Sequence, residues 1–339
     1  MGLRRTRLSR QKIASSLNKQ FVASFIIALL FSSCSGDLCN EQKQGTTLVI
    51  PCYFCHFSDC PIIDVEIEGI RHPFELDLGC NSGDIVIRKE ILEKLQCKTL
   101  KGETNAFDVQ GNSYQFLKYT IPSIDIHGLK IKDAIVHQEC IGFLKNTTLF
   151  DKISEDTSST DVAGRIGTQI FESYICFFDF SKPSPLIYLT DTIHALQRHC
   201  SLKNYIEAPL ETKNGLAVLS FETDLGIRRF LLDTGANACV FKESLVDKES
   251  MIKKNMAKQA LDGKWLYRSR KMILGKTNFG LQKFVLLEFK KPFDNIDGIL
   301  GIDFFREHLV CLDFPNGKAY IQPPQRTLWD RILSWLSGK

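Results

Sequence analysis

The sequence lacks an apolar run long enough to cross a membrane comfortably, and it lacks an excess of charge of either sign. Its longest such run, Phe21 to Phe31, falls short of the roughly 20 residues that a spanning helix needs. Lys and Arg number 43 against 39 for Asp and Glu, so no nucleic-acid footprint is expected. There is no Gly-x-Ser-x-Gly motif and no phosphate-binding loop. With 44% hydrophobic residues, the chain is expected to fold, and neither disorder nor a multi-span membrane protein fits.

The first residues resemble a targeting segment. Basic residues precede the apolar run, and Ser32-Ser33-Cys34-Ser35-Gly36 follows it, which predicts a signal peptide over residues 1–34. The stretch is similar to a relaxed bacterial lipoprotein signal, so Cys34 is a candidate for lipidation. A plain cleaved signal peptide and an uncleaved anchor are the alternatives. We therefore expect export, to the periplasm or a membrane-anchored position in a bacterial envelope, or otherwise secretion.

Cysteine is plentiful, at 12 residues. An export signal permits disulfides, so the cluster after the signal predicts a disulfide-tied, Cys-rich strap over residues 35–60. A zinc site built on Cys52, Cys55, Cys60 and His56 would lack the usual second ligand pair. Cys176 and Cys311 lie in apolar runs, where cysteine acts as a small buried hydrophobe.

The chain contains an internal repeat. Residues 164–180 align without a gap with residues 298–314, at a shift of 134 positions. Identical residues recur at five aligned positions: Gly164 and Gly298, Gly167 and Gly301, Phe171 and Phe305, Asp179 and Asp313, and Phe180 and Phe314. Upstream, Phe74-Glu-Leu-Asp77-Leu-Gly79 matches Phe230-Leu-Leu-Asp233-Thr-Gly235. Each copy therefore carries one Asp-x-Gly turn and one later Gly-x-x-Gly segment.

β-branched and aromatic runs broken by Gly, Pro and Asn predict a mainly β protein. The repeat divides it into an N-terminal lobe over 61–190 and a C-terminal lobe over 205–322, joined by a linker over 191–204. Residues 146–161 are polar and predict a surface loop. Residues 323–339 carry an apolar stripe at helical spacing, which predicts an amphipathic C-terminal helix. That helix is expected either to lie on a membrane or to pack on the lobes.

Two Asp-x-Gly turns, one in each copy, predict two carboxylates that meet at a pseudo-twofold axis. Two close carboxylates share one proton, because ionising both is costly. The ionised carboxylate can accept a proton from water while the protonated one polarises a peptide carbonyl. The glycine after each Asp lets the backbone turn tightly.

Leu231-Leu232-Asp233-Thr234-Gly235-Ala236 and Ile299-Leu300-Gly301 resemble the two signatures of the pepsin/retropepsin-like aspartic proteases, including exported bacterial relatives. The resemblance covers about residues 61–322. It implies a two-lobed acid protease fold with pseudo-twofold duplication, and an aspartic endopeptidase with Asp77 and Asp233 as catalytic residues. Supporting active-site loops would contain Leu78, Gly79, Thr234, Gly235, Gly167 and Gly301. It further implies peptide or protein substrates and no metal or cofactor. Since both lobes lie in one chain, a monomer is expected.

The first lobe departs from the family pattern. Leu78 stands where the family has Thr or Ser, whose hydroxyl bonds across the lobe interface, and Arg165 is unusual before the backing Ile166. Thr234 is still expected to offer its hydroxyl to the Leu78 loop. We predict that Glu75 is a solvated strand residue. The alternative is that its carboxylate perturbs the pair formed by Asp77 and Asp233. The second functional hypothesis is a catalytically impaired pseudo-peptidase that binds peptides or protein partners between the lobes.

Overall fold

The computed structural model describes residues 45–54, 59–80, 85–139, 162–213 and 215–324. The predicted signal peptide with Cys34 lies outside the described residues, as do the whole of the predicted polar loop and almost all of the predicted C-terminal helix. Within the described part of the chain, no helix is long and apolar enough to span a membrane.

The first copy of the repeat is built almost entirely of strands, with a four-residue α-helix, α1 (Lys89–Leu92), and a short 3-10 helix, Thr168–Phe171. Its strands are β1 (Thr47–Phe54), β2 (Pro61–Ile67), β3 (Ile70–Leu76), β4 (Ile85–Ile87), β5 (Lys98–Phe107), β6 (Ser113–Ile126), β7 (Leu129–Gln138), β8 (Gly164–Ile166), β9 (Ile175–Asp179) and β10 (Leu186–Thr190). Helix α2 (Ile193–Gln197) lies in the predicted linker.

The second copy repeats this order. It contains a 3-10 helix, Glu243–Leu245, and the helices α3 (Lys248–Lys253) and α4 (Ile302–Glu307). Its strands are β11 (Ile206–Pro209), β12 (Glu211–Lys213), β13 (Leu216–Thr223), β14 (Gly226–Leu232), β15 (Val240–Lys242), β16 (Ala257–Gln259), β17 (Trp265–Ser269), β18 (Met272–Leu274), β19 (Thr277–Asn278), β20 (Gln282–Leu287), β21 (Gly298–Leu300), β22 (Val310–Asp313) and β23 (Lys318–Ile321).

Strand pairing in the two copies confirms the predicted duplication. In the first copy β3 runs parallel to β8, which is antiparallel to β4, and β4 runs parallel to β7. In the second, β14, β21, β15 and β20 form the same arrangement. In each copy, the strand that ends in the Asp-x-Gly turn therefore lies beside the strand that leads to Gly167 or Gly301. The fold is mainly β and two-lobed, as predicted.

The two copies also share a sheet. Its strands run in the order β11-β23-β22-β9-β10-β1, so strands of the second copy continue directly into those of the first. Phe177 of β9 and Cys311 of β22, which are equivalent by the 134-residue shift, are register partners across the junction. The pseudo-twofold axis therefore passes between these two residues. Cys311 and Cys176 are completely buried, as predicted for small hydrophobes.

The predicted strap is a structural strand in part. Thr47–Phe54 forms β1, which pairs with β10 through residue 51 and with β2 from residue 52 onward. Pro51 lies where the strand changes partner, so its missing N–H interrupts neither ladder. Ile50 and Cys52 are buried in the core. Residues 47–54 of the predicted strap therefore form a strand of the core, and no disulfide joins any two of the described cysteines.

Candidate active site

Each copy places its aspartate in a loop at the end of a buried strand. The amide of Asp77, after β3, donates to Ile166 O over 2.9 Å. The amide of Asp233, after β14, donates to Leu300 O over 3.0 Å. These equivalent bonds connect each aspartate loop to the strand behind it, because a parallel neighbour ends at the same edge of the sheet. The structure thus builds the two loops in the same way from distant parts of the sequence.

The two aspartate loops meet, and the carboxyl group of each aspartate lies against the glycine of the opposite loop. In each loop the glycine amide donates to its own aspartate: Gly79 to Asp77 Oδ1 over 3.0 Å, and Gly235 to Asp233 Oδ1 over 2.8 Å. A Cβ added at Gly79 would overlap the Asp233 carboxylate, and one added at Gly235 would overlap Asp77. The glycines are therefore required for the carboxylates to approach across the axis.

The hydroxyl of Thr234 joins the two loops. It donates to Leu76 O over 2.6 Å and accepts from the Leu78 amide over 3.1 Å. The sequence predicts this contact, in which Thr234 offers its hydroxyl to the Leu78 loop while Leu78 has no hydroxyl to offer in return. Leu78 itself is completely buried, and its carbonyl accepts a 2.8 Å bond from the hydroxyl of Thr168.

Gly167 and Gly301 begin the two helices that follow the backing strands. At Gly301 the reason for glycine is steric, since a Cβ would lie 2.6 Å from the carbonyl oxygens of Ala236 and Ala238. The amide of Ile302 then donates to Ala236 O over 2.8 Å, so this helix start holds the Asp233 loop. Thr168 holds the Asp77 loop from the equivalent position in the first copy.

The electrostatics of the pair favour one proton on Asp233. Burial raises the pKa of Asp233 well above its usual range, and the charge of Asp77 and the hydrogen bond with it raise it further. Hydrogen bonds from the Gly235 and Ala236 amides act in the opposite direction. The arrangement can therefore hold one protonated and one ionised carboxylate at moderate pH, as general acid–base chemistry requires.

Comparison with solved structures identifies the architecture. An aspartic proteinase from Irpex lacteus superposes with a TM-score of 0.52, covering 84% of this chain and 99% of its own, at 9% identity. The chain has the two-lobed aspartic proteinase fold. Basic 7S globulin from soybean (TM-score 0.52, 9% identity, 83% of this chain and 95% of its own) and conglutin gamma from lupine seeds (0.51, 12%, 82% and 95%) share it. No family model and no curated protein sequence matches. At these identities the likeness shows the fold alone.

Within this aspartic proteinase fold, the first lobe carries a buried ion pair that the sequence did not predict. Arg165 Nε lies 3.1 Å from Glu75 Oε2, and its Nη1 lies 3.4 Å from Asp77 Oδ2. The Arg165 side chain is 8% exposed and that of Glu75 is 12% exposed. The prediction of Glu75 as a solvated residue is therefore wrong. Parallel pairing of β3 with β8 puts Glu75 and Arg165 in register, so the two charges neutralise each other away from water.

The tip of the β5–β6 hairpin crosses to the second lobe. The amide of Lys290 donates to Val109 O over 2.9 Å. Phe107 and Val109 pack on an apolar cluster of the second lobe that includes Ala236, the residue after the Asp-Thr-Gly turn. The tip turn is held by Asp108, which accepts four hydrogen bonds, from the amides of Gln110 and Asn112, the Asn112 side chain and the Tyr114 hydroxyl. The hairpin thus spans both lobes beside the Asp233 loop.

A tyrosine follows a hairpin tip in each copy, Tyr114 in β6 and Tyr267 in β17, and the two have different environments. Tyr114 belongs to the tip of the spanning hairpin through its bond to Asp108. Tyr267 is completely buried, stacks on Phe284 and meets Phe241 edge-on, so it is a core residue.

Two further contacts at the site were not predicted from the sequence. Thr168 of the first copy is equivalent to Ile302 of the second. This difference is visible only when the two repeats are aligned. Cys60 lies beside the Asp233 loop, where its thiol donates to Gly235 O over 3.4 Å. Of the residues considered for zinc, Cys55 and His56 lie outside the described part of the chain.

Proposed function

We propose that the chain is an aspartic-type endopeptidase. The observation that carries this proposal is the meeting of Asp77 and Asp233 on two equivalent loops of one chain, where each carboxyl group lies against the glycine of the opposite loop. The raised pKa of Asp233 supports the singly protonated form that the chemistry needs.

In the proposed reaction a water molecule attacks the carbonyl carbon of the scissile peptide bond. The ionised carboxylate takes one proton from that water, and the protonated carboxylate gives its proton to the carbonyl oxygen. The tetrahedral intermediate then collapses. The carboxyl group that took the proton from water passes it to the leaving nitrogen as the C–N bond breaks. One hydroxyl of the intermediate returns its proton to the other carboxylate, so the products are a carboxylic acid and an amine and the pair again holds one proton. No covalent bond forms between substrate and protein.

The full-length chain incubated with a peptide library tests the proposal. We expect hydrolysis that pepstatin inhibits. Asp77→Asn and Asp233→Asn should each abolish it, and the double variant should be no worse, because the two carboxylates act as a unit. Asp133→Asn, at an exposed strand position, is the matched control and should keep wild-type activity. Hydrolysis that survives either active-site substitution would refute the proposal.

A second candidate function is peptide binding without hydrolysis. Two observations favour it: Leu78 removes one of the hydroxyls expected across the loops, and Arg165 is ion-paired with Asp77. Two structural neighbours are named as seed globulins, not proteinases, so the fold does not by itself imply hydrolysis. Peptides from the library that bind wild type and both Asp→Asn variants equally, without being cleaved, would establish this alternative.

The proposed setting is extracytoplasmic, and it rests on the targeting pattern of residues 1–34. Metabolic labelling with a fatty acid, compared between wild type and Cys34→Ala, tests the lipid anchor. We further propose that the protein acts as a monomer on peptide or protein substrates, without a cofactor. Specific activity that stays constant on dilution supports the monomer, whereas activity that collapses on dilution indicates an obligate dimer.

A further inference from the structure

The two lobes differ in one pair of residues beside the aspartates. In the second lobe the pair behind the Asp233 loop is Leu231 and Ile299, register partners that are both buried in an apolar cluster. The 134-residue shift of the repeat makes Arg165 equivalent to Ile299. The alignment of the two Asp-x-Gly segments makes Glu75 equivalent to Leu231. The first lobe therefore replaces a buried apolar pair with a buried charged pair.

The charge of Arg165 is directed at the dyad. Its Nη1 lies 3.4 Å from Asp77 Oδ2, while its Nε is engaged by Glu75. Burial alone would lower the pKa of Arg165, but the charges of Glu75 and Asp77 outweigh that effect and raise it. The guanidinium is therefore a permanent positive charge next to one carboxylate of the pair, and nothing equivalent stands next to Asp233 at Ile299.

Other ionisable groups surround Arg165. Cys80 lies on the Asp77 loop, and Glu139 follows β7. Burial raises the pKa of Glu139 to about 7, and the charges of Arg165 and Arg88 oppose that rise. Glu75 and Glu90 add to it. Of these groups, Arg165 is the one that contacts a carboxylate oxygen of the Asp77–Asp233 pair.

We propose that Arg165 is a positioning residue that holds the negative charge of the dyad on Asp77 and so leaves the shared proton on Asp233. The inference rests on the proposed function, because it concerns the same carboxylate pair. It assigns the roles: Asp77 accepts the proton from water, and Asp233 donates to the substrate carbonyl. A nearby positive charge stabilises the anionic form of a carboxylate, so the ion pair with Arg165 favours the negative charge on Asp77.

The double variant Glu75→Leu with Arg165→Ile tests this inference, because it gives the first lobe the residues of the second. Removing both partners avoids leaving a buried, unpaired charge. With aspartate labelled at the carboxyl carbon, NMR follows the titration of the pair in the full-length chain without substrate. Asp77→Asn and Asp233→Asn assign the signals. We expect the first deprotonation of the pair to move to higher pH by about one unit or more, with the proton no longer confined to Asp233.

Two single variants separate charge from packing. Arg165→Lys keeps a positive charge and should titrate closer to wild type than the double variant does. Glu75→Gln leaves Arg165 without its competing carboxylate, so the first deprotonation should occur at or below the wild-type pH. A folded double variant whose pair titrates as in wild type would overturn the inference, as would Arg165→Lys titrating like the double variant.

The titration and the enzymatic assay answer separate questions. If wild type cleaves peptides, its pH–rate profile should shift with the titration in the double variant. If wild type cleaves nothing but the titration shifts, the proposed function fails while the role of Arg165 stands. If cleavage occurs and neither profile nor titration shifts, the proposed function stands and Arg165 is only the structural partner of Glu75.

Discussion

The hydroxyl of Thr234 accepts a hydrogen bond from the amide of Leu78 over 3.1 Å, although 156 positions separate the two residues in the chain. The same hydroxyl donates to Leu76 O, so one side chain satisfies two buried backbone groups of the opposite lobe. This contact supplies half of the cross-loop bonding, and Thr168 holds the Leu78 carbonyl from within the first lobe.

Thr234→Val should destabilise the protein and disturb the dyad. The change keeps the shape but leaves two buried backbone groups unpaired, each at a cost on the order of 1–3 kcal/mol. We expect a lower free energy of unfolding in denaturant titrations and a clear loss of any peptidase activity. Thr99→Val, on an exposed strand position, is the control and should be nearly neutral. Equal stability of the two variants would contradict the importance of the contact.

Leu78→Thr should be compared with Leu78→Val, because Thr and Val have nearly the same shape and differ in the hydroxyl. Both lose apolar volume at a completely buried position, which costs about 1 kcal/mol or more. We expect the Thr variant to have the higher melting temperature and turnover of the two, since its hydroxyl can bond across the loops. Identical behaviour of the Thr and Val variants would show that the site does not use a second hydroxyl.

Gly111→Ala should release the hairpin tip from the second lobe. Gly111 has a positive φ, and a Cβ there would lie 2.9 Å from Lys290 Cβ and 3.3 Å from Lys291 O. We expect faster hydrogen exchange at the Lys290 amide, which donates to Val109 O. Gly102→Ala is the matched control, because Gly102 also has a positive φ but has nothing within 4 Å of the added Cβ. If both variants exchange alike, backbone strain and not the clash explains the effect.

Stability should fall as the pH drops from 6.5 towards 4, partly because of His308. Burial lowers the pKa of His308 to about 4. Between that value and its unfolded value the unfolded state binds more protons, so stability rises with pH in this window and is lost on acidification. The contribution is on the order of 3 kcal/mol. His308→Gln should flatten this part of the pH–stability curve, whereas His194→Gln, at an exposed position, should leave it unchanged. A His308→Gln curve as steep as wild type would assign the acid sensitivity to other groups.

The sequence by itself determined the duplication, the β class and the two Asp-x-Gly turns. These features are local or repeated: strand alternation, turn residues and glycines are set by nearby backbone geometry, and the repeat shows each of them twice. Thr234 was likewise predictable as a cross-loop donor, because it sits inside one of the repeated motifs. The strand at Thr47–Phe54 was missed because the cysteine cluster around it predicted a disulfide-tied strap. Only its two partner strands show that Pro51 stands where the pairing changes.

Only the tertiary structure decided which groups surround the carboxylates. Glu75 and Arg165 lie 90 positions apart, and the parallel register of β3 and β8 is what puts them face to face beside Asp77. Thr168, Cys60 and the hairpin tip reach the two aspartate loops through equally long-range contacts. A buried charge is tolerated only when a partner is held within ion-pair distance. The order of residues along the chain does not show that distance. The charged pair of the first lobe, which is apolar in the second, is therefore recognised only once the pairing of the strands is known.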